Sequence, residues 1–145
     1  MQAIINVLLG IAVILGLLDL IFMAIRRAFR LSRGLRPLRV YVAGPYSVNP
    51  TEGVAAAIQA ADELLTAGYK PFVPHLTHLW HERYPQAYEV WMQYDFAYLA
   101  VCDALVRLPG YSPGADREVA LAKQRGVPVY EGVQAFLERY GACRG

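Results

Sequence analysis

The chain has 145 residues, 56% of them hydrophobic and 18% charged, with fourteen Lys and Arg against twelve Asp and Glu for a net charge of +2. That length holds one modest domain beside any extension, and the low charge with high apolar content excludes a disordered chain. The charge is also unevenly distributed: residues 1–25 carry Asp19 alone, residues 26–39 carry six arginines and no acid, and the rest is net acidic.

Residues 3–25 are apolar except for Asn6 and Asp19. As a helix rising about 1.5 Å per residue they reach roughly 35 Å, enough to cross about 30 Å of hydrocarbon. The reading is a single transmembrane helix rather than a cleaved leader, because no basic residue precedes the run and no small-residue cleavage site follows it. Arg26, Arg27, Arg30, Arg33, Arg36 and Arg39 all follow it, which places the C-terminal domain on the cytoplasmic side of the cell inner membrane, with lipid as a partner. The same arginines abut the bilayer without interleaved aromatics, so no nucleic-acid partner is expected. Ala12 and Gly16 form a small-x-x-x-small pair of the kind that brings helices together, the basis for expecting a homo-oligomer. Cys102 and Cys143 have no paired spacing, so neither a disulfide framework nor a metal knuckle is expected.

From residue 38 the periodicity changes. Residues 38–43 (LRVYVA) predict a strand, and Asn49-Pro50-Thr51-Glu52 reads as the start of a helix over residues 50–67 that Gly68 stops. A strand is predicted over 70–73, an irregular loop over 74–84, a helix over 85–102, a strand over 104–108 and a loop through Gly114. A helix over 115–125 stopped by Gly126, a strand over 127–130 and a helix over 132–140 complete the chain. Strands alternating with helices give an α/β fold, a doubly wound (flavodoxin- or Rossmann-like) parallel sheet of about four strands. The expected organisation is therefore residues 1–37 as membrane helix and basic linker, and 38–145 as the α/β domain. In such sheets ligands bind beyond the carboxyl ends of the strands, which directs attention to the loops after the first three.

Two acids fall in apolar stripes. Asp95 shares a helix face with Trp91, Tyr98, Leu99 and Cys102, and Glu118 with Ala115, Leu121 and Ala122. Two carboxyls in one partly dry cleft are the minimal kit for cleaving a glycosidic bond, one at the anomeric carbon and one managing the leaving group's proton. Helix capping or ion pairing accounts for such positions as well. Gly44, Pro45, Tyr46 and Ser47 precede one helix, and Ser112 and Gly114 start another; their backbone N–H groups and hydroxyls suit a phosphate, as turn chemistry also would. His75, His78 and His81 lie in one loop with Trp80. Their spacing matches no zinc motif, so no metal or cofactor is expected, and His75 and His78 are assigned to ligand contact.

V-Y-V-A-G at 40–44, Asp95 followed by C-D-A-L at 102–105, and S-P-G-A-D-R-E at 112–118 resemble the nucleoside 2-deoxyribosyltransferase superfamily, most closely a bacterial and phage branch known as a domain of unknown function. The resemblance implies an N-glycosidase or deoxyribosyltransferase acting on a nucleotide or nucleoside, with Glu118 as nucleophile at C1′, Asp95 as the second carboxyl and Tyr41 as hydrogen-bond donor to the nucleophile. Ser112, six residues before Glu118, matches the serine of relatives that act on 5′-monophosphates. The histidine loop has no counterpart in that superfamily. The alternative carried forward is a non-catalytic nucleotide-binding sensor or membrane scaffold of the same fold.

Overall fold

The computed structural model describes residues 16–22, 36–46 and 49–141. Residues 37–145 form one compact unit, and residues 1–36 belong to another. In the latter, residues 16–22 are helical, with Leu17, Leu18, Leu20, Ile21 and Phe22 exposed. The expected membrane helix lies mostly outside the described residues, among which no helix is long and apolar enough to cross a membrane.

The domain begins with β1 (Arg39–Ala43), whose Val40, Tyr41, Val42 and Ala43 are fully buried. Helix α1 (Pro50–Thr66) starts where Asn49 accepts a hydrogen bond from the Glu52 amide at 3.3 Å and proline occupies the first turn, where its missing N–H costs nothing. It ends at Gly68, whose φ of +92° turns the chain back so that the Tyr69 amide bonds the Leu64 carbonyl. Strand β2 (Lys70–Phe72) tolerates Pro71 because it is an edge strand.

A turn of 3-10 helix (Pro74–Thr77) and the short α2 (His78–Arg83) follow, then α3 (Tyr88–Leu99), β3 (Ala104–Arg107), α4 (Pro113–Gln124), β4 (Val129–Glu131) and α5 (Gly132–Tyr140). The strands form one sheet in the order β2-β1-β3-β4, with all three pairings parallel. Side chains alternate across it: Val40, Val42, Ala104 and Val106 pack under α1 and α5 with Leu64 and Phe136, whereas Tyr41, Ala43 and Leu105 pack under α3 and α4 with Leu99 and Ala122. Helices thus cover both faces, as a parallel sheet requires.

Two predicted stretches need correction. Residues 74–84 are not an irregular loop but two helical turns, and the helix predicted over 85–102 is trimmed at both ends. Pro85 holds Tyr84 extended, the His81 ring takes the Gln86 amide at 3.4 Å, and α3 starts only after them. At the other end the amides of Val101 and Cys102 bond carbonyls three residues back, closing the helix in a tight turn. The remaining boundaries stand or move by at most two residues.

Candidate active site

The strand order reverses direction between β1 and β3, so the loops leaving their carboxyl ends diverge and leave a crevice. A cavity of about 410 Å³ occupies it, closed on one side by the 3-10 turn and α2 and on the other by α3 and the start of α4. Gly44, Tyr46, His75, His78, Asp95, Ser112, Gly114 and Glu118 all line it. Tyr41 lies beneath the floor, fully buried, and donates its hydroxyl to Glu118 Oε1 at 2.7 Å. Pro45 faces a separate groove and takes part through its carbonyl, which accepts from His75 Nε2 at 3.2 Å. Ser47 lies outside the described residues.

Glu118 and Asp95, on α4 and α3, are 6% and 8% exposed. Among the described residues neither forms an ion pair, so the salt-bridge alternative does not account for their burial. Burial, reinforced by the charge of Asp95, pushes the Glu118 carboxyl up to about 8 against the opposing pull of the Tyr41 hydroxyl and of Arg107. Burial alone pushes Asp95 up to about 7, and its Oδ1 has no hydrogen-bond partner. Near neutrality the pair therefore holds protons that ordinary carboxyls would have lost. Tyr41, buried against both acids, has its pKa raised and stays a phenol.

Asp95 is buried with Met92 and Leu99 rather than with Tyr98, which is 40% exposed and stacks on Phe72 with ring centres 4.4 Å apart. Tyr88, Trp91 and Met92 join it in the wall, three to seven residues earlier on one helix face. That spacing around Asp95 was the available signal for Tyr88 and Met92, neither of which the patterning singles out.

Ser112 is the N-cap of α4. Its Oγ accepts from the Ala115 amide at 3.2 Å and reaches the Gly44 carbonyl at 3.4 Å, tying the loop after β1 to the loop after β3. A Cβ at Gly44 would stand 3.1 Å from Leu108 Cδ1, and one at Gly114 would stand 3.2 Å from the Tyr88 hydroxyl, so glycine keeps both walls close.

His75 and His81 each have one ring nitrogen committed, and His78 has both. His75 donates from Nε2 to Pro45 O, its Nδ1 is buried without a partner, and burial lowers its pKa against the pull of the Pro45 and Gly44 carbonyls, so it is neutral. His81 Nδ1 accepts from the Trp91 indole at 2.7 Å. His78 stands between the Tyr46 hydroxyl, 2.5 Å from Nδ1, and Glu82, 3.3 Å from Nε2. Among the described residues no cluster of His, Cys, Asp or Glu is placed to hold a metal, and the cavity lining contains no Lys or Arg.

A parallel four-stranded α/β unit with helices on both faces is a small domain of the doubly wound class. The chain belongs to a family defined as a domain of unknown function (DUF7768), whose model matches residues 38–131. No curated protein matches it. Among solved structures it is similar to a 2-deoxyribosyltransferase from Leishmania mexicana, at 18% identity over 64% of this chain and 62% of that one with a TM-score of 0.51. It is also similar to the 2-deoxyribosyltransferase of Bacillus psychrosaccharolyticus, at 18% identity over 63% and 69% with a TM-score of 0.45. At that identity the likeness concerns the fold, which is the one the sequence resemblance implied.

Proposed function

We propose that the domain cleaves the N-glycosidic bond of a nucleoside or nucleotide through Glu118. One observation carries the reading: two carboxyls that form no ion pair among the described residues, one of them fixed by the Tyr41 hydroxyl, face a cavity large enough for a nucleoside at the switch point of the sheet. As the bond breaks, the Glu118 carboxylate forms a bond to C1′ and the departing base takes a proton from Asp95, whose pKa near 7 lets it hold and yield one at neutral pH. The Tyr41 hydroxyl favours the carboxylate form of Glu118 and fixes its orientation. Water or a second base then displaces Glu118 and frees the sugar. Incubating the protein with the common deoxynucleosides and their 5′-monophosphates tests this; base release lost in Glu118→Gln supports it, and no release from any of them overturns it.

A second reading, a non-catalytic binding protein, is favoured by the pKa of Glu118 near 8, since a carboxyl protonated at neutral pH is a poor nucleophile. It expects ligand binding without base release. For the remainder of the chain, we propose that residues 3–25 anchor the domain at the cytoplasmic face of the inner membrane and that Ala12 and Gly16 support self-association there.

A further inference from the structure

Asp95 and Glu118 stand on different helices, so the separation on which a two-carboxyl reaction depends is set by how α3 is held against α4. Helix α3 buries Met92, Asp95 and Leu99, and α4 buries Ala115, Glu118 and Ala122. Leu99, Ala115 and Ala122 belong to one apolar cluster, which secures the carboxyl end of α3. The amino end is held differently. Residues 82–90 are all exposed, and Ala87 at the N-cap offers no side chain to the free amides of the first turn. The Trp91 indole is bonded to His81, which belongs to α2 and not to α4.

Arg117 fastens that end to α4. Its Nη1 and Nη2 donate to the two oxygens of Glu89 at 2.7 and 3.0 Å, and its guanidinium carbon lies 5.7 Å from the ring centres of both Tyr88 and Phe96. The two charged side chains are 41% and 62% exposed, and a single-contact ion pair in such a place contributes little. A planar fork engaged at both carboxylate oxygens and against two aromatic faces fixes orientation as well. The order along the chain gives the clamp its reach. Arg117 directly precedes Glu118, while the residues it grips bracket Asp95, Tyr88 and Glu89 before it and Phe96 directly after. Arg117 itself stands outside the cavity lining.

We propose that Arg117 is a positioning residue which, by clamping α3 to α4, sets the separation of Asp95 and Glu118; the role deepens the glycosidase reading above and rests on it. As the C1′–N bond breaks, its electron pair leaves with the base and takes the Asp95 proton, while a Glu118 oxygen bonds C1′. Both events need the carboxyls at one fixed separation. When water later frees the sugar, the electron pair of the C1′–O bond returns to Glu118 and the water proton to Asp95, which closes the cycle. Glu118 also reports the separation. Burial and then the Asp95 charge on α3 raise its pKa, against the pull of Tyr41 on β1 and Arg107 on β3. A retreat of α3 admits water and weakens the Asp95 contribution, and both changes move Glu118 down.

The test uses the full-length protein and whichever deoxynucleoside the wild type cleaves. Arg117→Met keeps the apolar stem and removes the fork; kcat for base release is expected to fall about 30-fold with KM within about threefold of the wild type. The alkaline limb of its pH profile should move down by about one unit. Arg117→Lys, with a point charge for a fork, should lose about tenfold. Glu89→Gln should lose about as much, and adding it to Arg117→Met should cost nothing further, because the two residues act as one unit. A second readout needs no activity: thermal melts of Arg117→Met should show about half the wild-type loss of stability between pH 5 and pH 9, since less of it comes from ionising Glu118. Glu89 does not disturb that window, because Arg117 holds its carboxyl below the ordinary 4.5 and its contribution is complete above that pH. If Arg117→Met does not fold, Glu89→Gln carries the same readouts. A raised KM with kcat unchanged would reduce the clamp to a support of the Tyr88 wall, and a pH limb and melting slope equal to the wild type's would show that the carboxyls keep their separation without it; either result overturns the proposal. A wild type that releases no base overturns the glycosidase reading instead, and the melting slope then decides whether Arg117 spaces the pair.

Discussion

At the scale of single residues, Glu118 makes the domain's stability depend on pH. Its folded value of about 8 stands above the ordinary glutamate value of 4.5, so the folded state binds the proton more tightly than the unfolded chain does. The stabilisation is complete below pH 4.5 and is lost as pH rises through 8. Glu118→Gln keeps an acceptor for the Tyr41 hydroxyl and cannot ionise. The variant should flatten this slope, melt higher than wild type at pH 9 by on the order of 1–3 kcal/mol, and lose base release by orders of magnitude. A wild type equally stable at pH 5 and pH 9 would show the carboxyl to be ordinary. Ser112 gives a second residue-scale test. Because its hydroxyl already spans Ala115 and Gly44, and among the described residues no Lys or Arg lines the cavity, a 5′-phosphate is expected to find little to hold it. Ser112→Ala should cost about 1 kcal/mol as a lost helix cap in thermal or denaturant unfolding. By calorimetry, a deoxynucleoside should bind at least as tightly as its 5′-monophosphate, the reverse of the preference the resemblance implied. Tenfold tighter binding of the monophosphate would restore the phosphate role of Ser112.

At the scale of elements, the site depends on how closely α1 approaches the loop after β1. A Cβ on Gly53 would lie 2.2 Å from the Pro45 carbonyl oxygen, too close for either backbone to stay in place. Alanine in a helix interior is ordinarily favoured over glycine by about 1 kcal/mol, so a surface position would predict a gain. Gly53→Ala should instead destabilise by about 1–3 kcal/mol and, by displacing Gly44 and Tyr46, weaken ligand binding; a rise in melting temperature would contradict the contact. The local devices that shape these elements are legible in the sequence, because a cap such as Asn49 or a stop such as Gly68 acts within a few residues. The face that α3 buries is not. Val90 and Tyr98 are apolar on its outer side too, so periodicity cannot choose the buried face, and it groups Asp95 with the exposed Tyr98. Nor can patterning show the 77-residue reach from Tyr41 to Glu118, which only the family resemblance supplied, or the wiring of the histidines, which depends on Tyr46, Glu82 and Trp91 meeting them in space.

At the scale of the whole molecule, residues 37–145 have cores on both sheet faces, and the described residues that line the cavity all belong to this unit. The proposed anchor and the proposed chemistry are therefore expected to be separable. The full chain should stay with membranes through high-salt and alkaline carbonate washes, because burial of a 23-residue apolar run, unlike headgroup attraction to six arginines, is screened by neither salt nor pH. A chain beginning at Arg36 should be soluble, unfold in a single cooperative transition and release base with kcat/KM within about threefold of the full chain, as an independent domain does. A reporter fused after Gly145 should register as cytoplasmic, following the six arginines. Release of the full chain by carbonate would reduce residues 3–25 to a surface attachment. A shortened chain that folds but loses activity would show that the membrane segment contributes to the site, through self-association or through delivery of a membrane-bound substrate.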